Sequence, residues 1–154
     1  MTTPPTTVRL ASLSDVDAVA ALFDAYRQFY EQIPDLGTAT AFIRERLSRD
    51  ESVILLAEDA EGQPLGFCQL YPTFCSVEAA PIYVLYDLFV TPAGRRSGTG
   101  AALLRAAEQH AHRTGRVRMD LTTAHTNHSA QRLYESLGWV HDEIFRTYNR
   151  RVVG

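Results

Sequence analysis

The fold of this chain is decided by residues 85–100, which read LYDLFVTPAGRRSGTG. The first six of these residues are Leu, Tyr, Phe and Val apart from one Asp, a composition that favours a β-strand, and Pro92 ends the strand because it has no N–H to donate. Gly98 and Gly100 follow, and apolar residues then recur at helical spacing from about Thr99 to Arg113. The segment therefore predicts a strand, a glycine loop and a helix whose first N–H groups have no acceptor within the helix.

Those free N–H groups, the helix dipole and the neighbouring Arg95 and Arg96 together suit a bound pyrophosphate. A nucleotide P-loop is excluded, because no Gly-Lys-Ser/Thr closes the loop. A dinucleotide-binding loop fits poorly: Leu103 stands where a third glycine belongs, although Asp120 lies at the distance expected of a ribose-binding acid. From these residues alone, a turn that merely starts a helix also remains open.

Outward from this segment, the hydrophobic periodicity predicts helices and strands in a mixed order. Two helices and a run of strands with hairpin-length connections precede it, and strand and helix alternate after it. This order predicts one α/β domain of the α+β type, with a mixed sheet and no boundary within residues 1–154. The predicted strands are 8–11, 53–57, 65–74, 83–90, 117–123 and one or two within 139–153; the predicted helices are 14–30, with Ser14 as N-cap, 40–49, 99–113 and 127–138.

Two motifs resemble the signatures of one superfamily. Arg95-x-x-Gly98-x-Gly100 after its strand is similar to the coenzyme A signature of the GNAT superfamily of N-acetyltransferases, and residues 127–139, NHSAQRLYESLGW, resemble the family's other signature helix. The resemblance covers about residues 10–150, and shorter stretches resemble a bacterial and fungal branch with histone- and polyamine-acetylating members. It implies the single-domain GNAT fold, with a mixed, mostly antiparallel sheet of six to seven strands, splayed central strands and about four flanking helices.

The resemblance also implies how acetyl-CoA is held. The pantetheine arm pairs with free backbone groups of Leu88, Phe89 and Val90, and Asn127 donates to or accepts from the same arm besides capping its helix. Tyr134 occupies the position of the acid that protonates the departing thiolate, whereas spacing alone makes it a core aromatic. The residues implied to bind the pyrophosphate are Arg95, Arg96, Ser97, Gly98, Thr99 and Gly100.

The proton acceptor is the part of the reaction where this sequence departs from the family. An alkyl ammonium ion has a pKa of about 10.4, so the acceptor amine has to lose a proton before it attacks the thioester. Several relatives carry a glutamate at the position of Tyr86, which here is expected to contact substrate instead. Asp87 follows it, on the opposite face of the strand by alternation, and is the candidate catalytic carboxylate; a water chain and His125 stay open as alternatives.

The acceptor pocket is expected between the first two helices and the strand near residues 71–74. Tyr26, Tyr30 and Glu31 are the candidate contacts, because aromatic rings and a carboxylate suit a cationic amine. The alternative is that both tyrosines simply form the buried stripe of the first helix.

The predicted function is therefore transfer of an acetyl group from acetyl-CoA to a primary amine of a small molecule, peptide or protein. A non-catalytic acyl-CoA sensor on the same fold is the alternative.

The formal net charge of −3 argues against a nucleic-acid partner. No apolar stretch reaches the roughly 20 residues of a membrane helix, so a cytoplasmic protein is expected. No Cys/His set accompanies His125 and His128, so no metal is expected, and Phe145 and Tyr148 permit a homodimer.

Overall fold

The structure is a computed structural model that describes residues 6–153. The chain divides into two compact units, Met1–Thr122 and Thr123–Gly154. The first unit contains all of the strands and three of the four α-helices in the described residues. Its elements are β1 (Thr7–Leu10), α1 (Val16–Phe29), α2 (Leu36–Ser48), β2 (Val53–Glu58), β3 (Pro64–Cys75), β4 (Ala80–Val90), α3 (Thr99–Arg113) and β5 (Met119–Asp120); the second unit contains α4 (His128–Ser136).

The five strands form one sheet in the order β1-β2-β3-β4-β5. The first three pairs are antiparallel, whereas β4 and β5 are parallel and pair only where Tyr83 faces Met119 and Val84 faces Asp120. Residues 85–90 of β4 therefore extend beyond the point where β5 pairs with it. The sheet is mixed and mostly antiparallel, as the family resemblance implies, and β5 stops pairing with β4 at Val84.

Helices cover both faces of this sheet. Phe23 of α1 stacks on Phe42 of α2 with ring centroids 5.3 Å apart, and both helices pack with Phe67 of β3 in one apolar cluster. On the opposite face of β3, the position where Gly66 would carry a side chain lies against Leu103 of α3. A Cβ on Gly66 would stand 2.6 Å from the carbonyl oxygen of Phe89, so the close approach of β3 and β4 requires glycine here.

The strand count differs from the predicted six to seven. Within residues 6–153 there are five strands: the strand expected over 117–123 is reduced to two residues, and 139–153 contain none. Large apolar side chains of that last segment are exposed, Ile144 at 84%, Phe145 at 79% and Tyr148 at 83%. Strand formation depends on cross-strand packing, so β-favouring residues without a packed neighbour do not form a ladder.

The starts of α1 and α2 also differ from their predicted positions. Ser12 and Asp15 form a capping box around the short 3-10 turn ahead of α1, and Asp15 is the N-cap of α1, so the expected cap at Ser14 is wrong by one residue. α2 begins earlier than residue 40, because the Asp35 carboxylate accepts a hydrogen bond from the N–H of Thr38 at 3.0 Å and caps the helix. Within residues 6–153, no helix is both long and apolar enough to span a membrane.

Candidate functional site

The loop between β4 and α3 is held by its own side chains. The Thr91 hydroxyl accepts from the N–H of Gly94 at 3.2 Å, and the Arg95 Nε donates to the carbonyl of Val90 at 3.2 Å. Arg96 has a φ of 64° and Gly98 a φ of 79°, so the chain turns twice through the left-handed region before α3 begins. Glycine adopts this conformation at little cost, which accounts for Gly98 at the N-cap.

This loop presents a row of backbone donors. The N–H groups from Arg96 to Gly100 have no hydrogen-bond acceptor among residues 6–153. Ser97 donates to the carbonyl of Gly94 and shares a 2.9 Å hydrogen bond with Thr99, whose side chain is buried, so the loop is fixed from within. Free N–H groups at the N-terminus of a 15-residue helix, with its positive dipole end, fit the phosphates of a bound nucleotide cofactor.

Beyond Val84, one edge of the strand that leads into the loop is unpaired in the part of the chain that the structure describes. Leu88, Phe89 and Val90 pair with β3 on one side. On their other side they do not pair with β5, because the last pairing of β5 with β4 is at Val84. Free backbone groups along such an edge can receive an extended chain as an added strand.

Asp87 lies on the same strand, but its carboxylate is buried, with only 3% of the residue exposed. Its Oδ2 accepts a hydrogen bond from Gln69 Nε2 at 2.5 Å, and Gln69 Oε1 accepts one from the Ser52 hydroxyl at 2.7 Å. A register shift explains the pairing: Gln69 faces Asp87 and Leu70 faces Leu85, so Tyr86 is the extra residue of a bulge. Tyr86 is 65% exposed, so the two neighbours differ in exposure as alternation predicts.

Burial raises the pKa of Asp87 to about 6, and the hydrogen bonds with Gln69 and Tyr26 lower it in part. The Tyr26 hydroxyl donates to the backbone carbonyl of Tyr86 at 3.1 Å, and it is also close enough to the Asp87 carboxylate to favour its ionised form. A carboxyl with this pKa is mostly ionised at neutral pH yet accepts a proton more readily than an exposed carboxylate does.

Two tyrosines, Tyr26 and Tyr71, lie close enough to this carboxylate to be affected by its charge, and each meets a second tyrosine ring. The rings of Tyr26 and Tyr30 meet edge to face at 5.1 Å, and those of Tyr71 and Tyr86 at 5.5 Å. Burial and the charge of Asp87 raise the pKa of Tyr26 and of Tyr71, so both hydroxyls stay protonated. The first unit thus joins a buried carboxylate with neutral aromatic rings, an arrangement that attracts a cation.

The structure brings together four of the residues singled out from the sequence: Tyr26, Tyr30, Tyr86 and Asp87. Glu31 lies instead in the exposed turn after α1, with a φ of 65°. Two buried polar residues, Gln69 and Ser52, were not foreseen. The signal for Gln69 is a lone amide within an apolar run of β3, LGFCQLY, but its partner on β4 is visible only once the register is known.

In the second unit, Asn127 caps α4 as predicted, and its side chain accepts from the N–H of Ala130 at 3.3 Å. Tyr134 lies on α4 with its ring 6.1 Å from that of Trp139. Gln131 donates to the backbone carbonyls of Ala124 and His125, which ties the preceding loop to the helix. Across residues 6–153, no three His, Cys, Asp or Glu side chains gather as metal ligands would.

Comparison with known proteins finds relatives along most of the chain. The family model described as Acetyltransferase (GNAT) family matches residues 18–139. The chain is 48% identical over 141 residues to the uncharacterized N-acetyltransferase YhfO of Bacillus subtilis (strain 168), covering 92% of this chain and 94% of that protein.

Solved structures agree as well. A probable acetyltransferase superposes with a TM-score of 0.90 at 38% identity, over 96% of this chain and 99% of that one. An aminoglycoside N-acetyltransferase in complex with CoA shares the fold, with a TM-score of 0.80 at 19% identity over 96% of each chain.

Proposed function

This chain belongs to the acetyltransferase (GNAT) family and is an acetyl-CoA-dependent N-acetyltransferase, and we propose that its acceptor is a primary alkyl amine that enters as an ammonium ion. The buried Asp87 carboxylate beside Tyr26 and Tyr71 is the observation that carries this proposal. An ammonium ion gains from the charge of the carboxylate and from the negative faces of the rings. Both small-molecule amines and peptide or protein amines present such a group.

Asp87 is proposed to accept the proton that the amine loses. The ammonium has a pKa of about 10.4, and the amine attacks only in its neutral form. Burial raises the pKa of Asp87 to about 6, which brings the carboxylate closer to the operating pH and makes it a better base. Tyr26, Tyr30 and Tyr86 are proposed to contact the acceptor.

The residues present fit acetyl-CoA. The free N–H groups of residues 96–100, together with Arg95, are proposed to bind the pyrophosphate. The free edge at residues 88–90 is proposed to pair with the pantetheine arm, and the Asn127 amide to bind the same arm. When bound, acetyl-CoA supplies the activated acetyl thioester, which the neutral amine attacks directly. Tyr134 is proposed to give its phenolic proton to the departing thiolate, whose pKa is near the value of about 8.5 for cysteine.

Two properties of the whole chain are part of this proposal. The family match runs through residues 18–139 and so crosses the division between the two units, which supports a single catalytic domain over residues 1–154.

A homodimer is supported by the exposed apolar side chains of residues 139–153, which a second copy would cover.

The test is release of coenzyme A thiol from acetyl-CoA across a panel of polyamines, amino sugars, amino acids and peptides. We expect release with one class of alkyl amine, and a fall of about tenfold or more at saturating amine in Asp87→Asn and in Tyr134→Phe. Glu61→Gln, which removes an exposed carboxylate from a turn, is the matched control and should keep full activity. Full activity of Asp87→Asn would overturn the assignment of the proton acceptor.

A further inference from the structure

Gln69 is a buried amide in the middle of β3, with none of the residue exposed. Its side chain has two partners: Ser52, the residue directly before β2, and Asp87 of β4. A buried amide without partners is costly, so these two hydrogen bonds stabilise its position. The result is a short chain of hydrogen bonds from Ser52 through Gln69 to the carboxylate.

The donor-to-acceptor direction of these hydrogen bonds matters for Asp87. The Ser52 hydroxyl donates to Gln69 Oε1, and this bond turns the NH₂ group of the amide toward Asp87 Oδ2. The reversed amide would place Oε1 against a carboxylate oxygen, so two acceptors would face each other. The observed orientation therefore fits the ionised carboxylate.

We propose that Gln69 is a positioning residue which, oriented by Ser52, holds the Asp87 carboxylate ionised and directed at the acceptor amine. The proposal rests on the proposed function, because it acts through the base assigned there. Gln69 contacts the proposed base and is not proposed to contact the acceptor amine or acetyl-CoA. Its effect on the reaction comes entirely through the orientation and the proton affinity of Asp87.

Other groups also lie close to Asp87, but Gln69 has the larger effect among the two that lower its pKa. Tyr26 of α1 donates to the Tyr86 carbonyl, and its hydroxyl also lowers the pKa of Asp87, by less than Gln69 does. Tyr71 and Cys68 of β3 also sense the charge of Asp87, but burial raises the pKa of both, that of Cys68 to about 12, so both stay neutral. Arg46 of α2 is the nearby cation, and its charge lowers the pKa of Tyr71 in part.

The test is a direct titration of the Asp87 carboxyl carbon by NMR in protein labelled at its aspartates, using the whole chain. In Gln69→Met, which keeps the length of the side chain but removes the donor, the pKa of Asp87 should rise by about one unit or more. The acidic limb of kcat/KM should move by the same amount, so that activity lost near neutral pH returns as the pH is raised. A merely structural role would lower activity at every pH alike.

Ser52 provides a second pair of variants, in case Gln69→Met does not fold. Ser52→Ala removes the donor that orients the amide and should raise the pKa of Asp87 in the same direction, whereas Ser52→Thr keeps the hydroxyl and should leave the titration unchanged. An unshifted Asp87 titration in the folded Gln69 or Ser52→Ala variant overturns the proposal. The proposal is also overturned if the pKa of Asp87 shifts but the acidic limb of the kcat/KM profile does not move. If wild type acetylates no alkyl amine, the proposed function fails, and the titration alone still decides whether Gln69 holds the carboxylate.

Discussion

Replacing Asp87 with Asn is expected to stabilise the folded protein even though it removes the proposed base. The carboxyl is buried, and burial raises its pKa from the ordinary 3.8 to about 6. The folded chain therefore holds the carboxyl proton more tightly than the unfolded chain does. Ionising Asp87 at neutral pH lowers the free energy of unfolding, and a neutral amide avoids that loss.

The size of the effect follows from the shift in pKa. At 1.36 kcal/mol per unit, a rise from 3.8 to about 6 corresponds to about 3 kcal/mol. The Asn amide is nearly the same shape, and its oxygen can still accept the hydrogen bond from Gln69 Nε2. The free energy of unfolding of Asp87→Asn should thus exceed that of wild type by up to about 3 kcal/mol above pH ~7.

The sign of the pH dependence is fixed by the same shift. Between about pH 4 and pH 6 the folded wild type keeps a proton that the unfolded chain releases, so its stability falls as the pH rises through this window. The advantage of the Asn variant should therefore grow across the window and vanish below about pH 4. Urea unfolding at a series of pH values measures it, with Glu61→Gln as the exposed control. A variant no more stable than wild type at neutral pH, or an advantage that does not depend on pH, would refute the buried-carboxylate reasoning.

Three further outcomes are expected from other parts of the molecule. The profile of kcat/KM against pH should have an acidic limb near pH 6, where Asp87 becomes protonated; a profile flat through that region would contradict the role of this carboxylate. Gly66→Ala should lower the free energy of unfolding by about 2 kcal/mol, because the new Cβ would lie 2.6 Å from the Phe89 carbonyl oxygen. Gly37→Ala is the control: it lies in helix α2, the nearest atom to its new Cβ is 3.6 Å away, and it should be neutral or stabilising. Thermal unfolding compares the two variants. Light scattering should show two chains per particle for wild type and one for Phe145→Glu, and a monomeric wild type would count against the dimer.

The helices and the glycine loop could be predicted from the sequence because their signals are local. The spacing of apolar residues and the glycine at position 98 place α3 at its observed start, and Asn127 marks the start of α4. The family resemblance implied splayed central strands; in the described residues β5 is the edge strand, and its pairing with β4 ends at Val84.

What could not be predicted depends on partners distant in the sequence. The bulge at Tyr86 and the contact between Gln69 and Asp87 follow from the register of β3 against β4, which periodicity does not determine. The length of β5 and the absence of strands in residues 139–153 depend on cross-strand packing rather than on residue type. The helix α2 begins at Leu36 and not near residue 40, because Asp35 caps it through Thr38, a contact that the spacing of apolar residues does not reveal.

The most direct test of the proposed acceptor site is a competition between two isomeric amines, benzylamine, which is an ammonium ion at neutral pH, and 4-methylaniline, which is neutral. Wild type and Asp87→Asn are each given acetyl-CoA and an equal mixture of the two, and the acetylated products are separated and measured by mass spectrometry. Wild type should acetylate benzylamine preferentially, and Asp87→Asn should lose that preference. Equal acetylation of the two isomers by wild type, or an unchanged preference in Asp87→Asn, would contradict an acceptor site built around the Asp87 carboxylate.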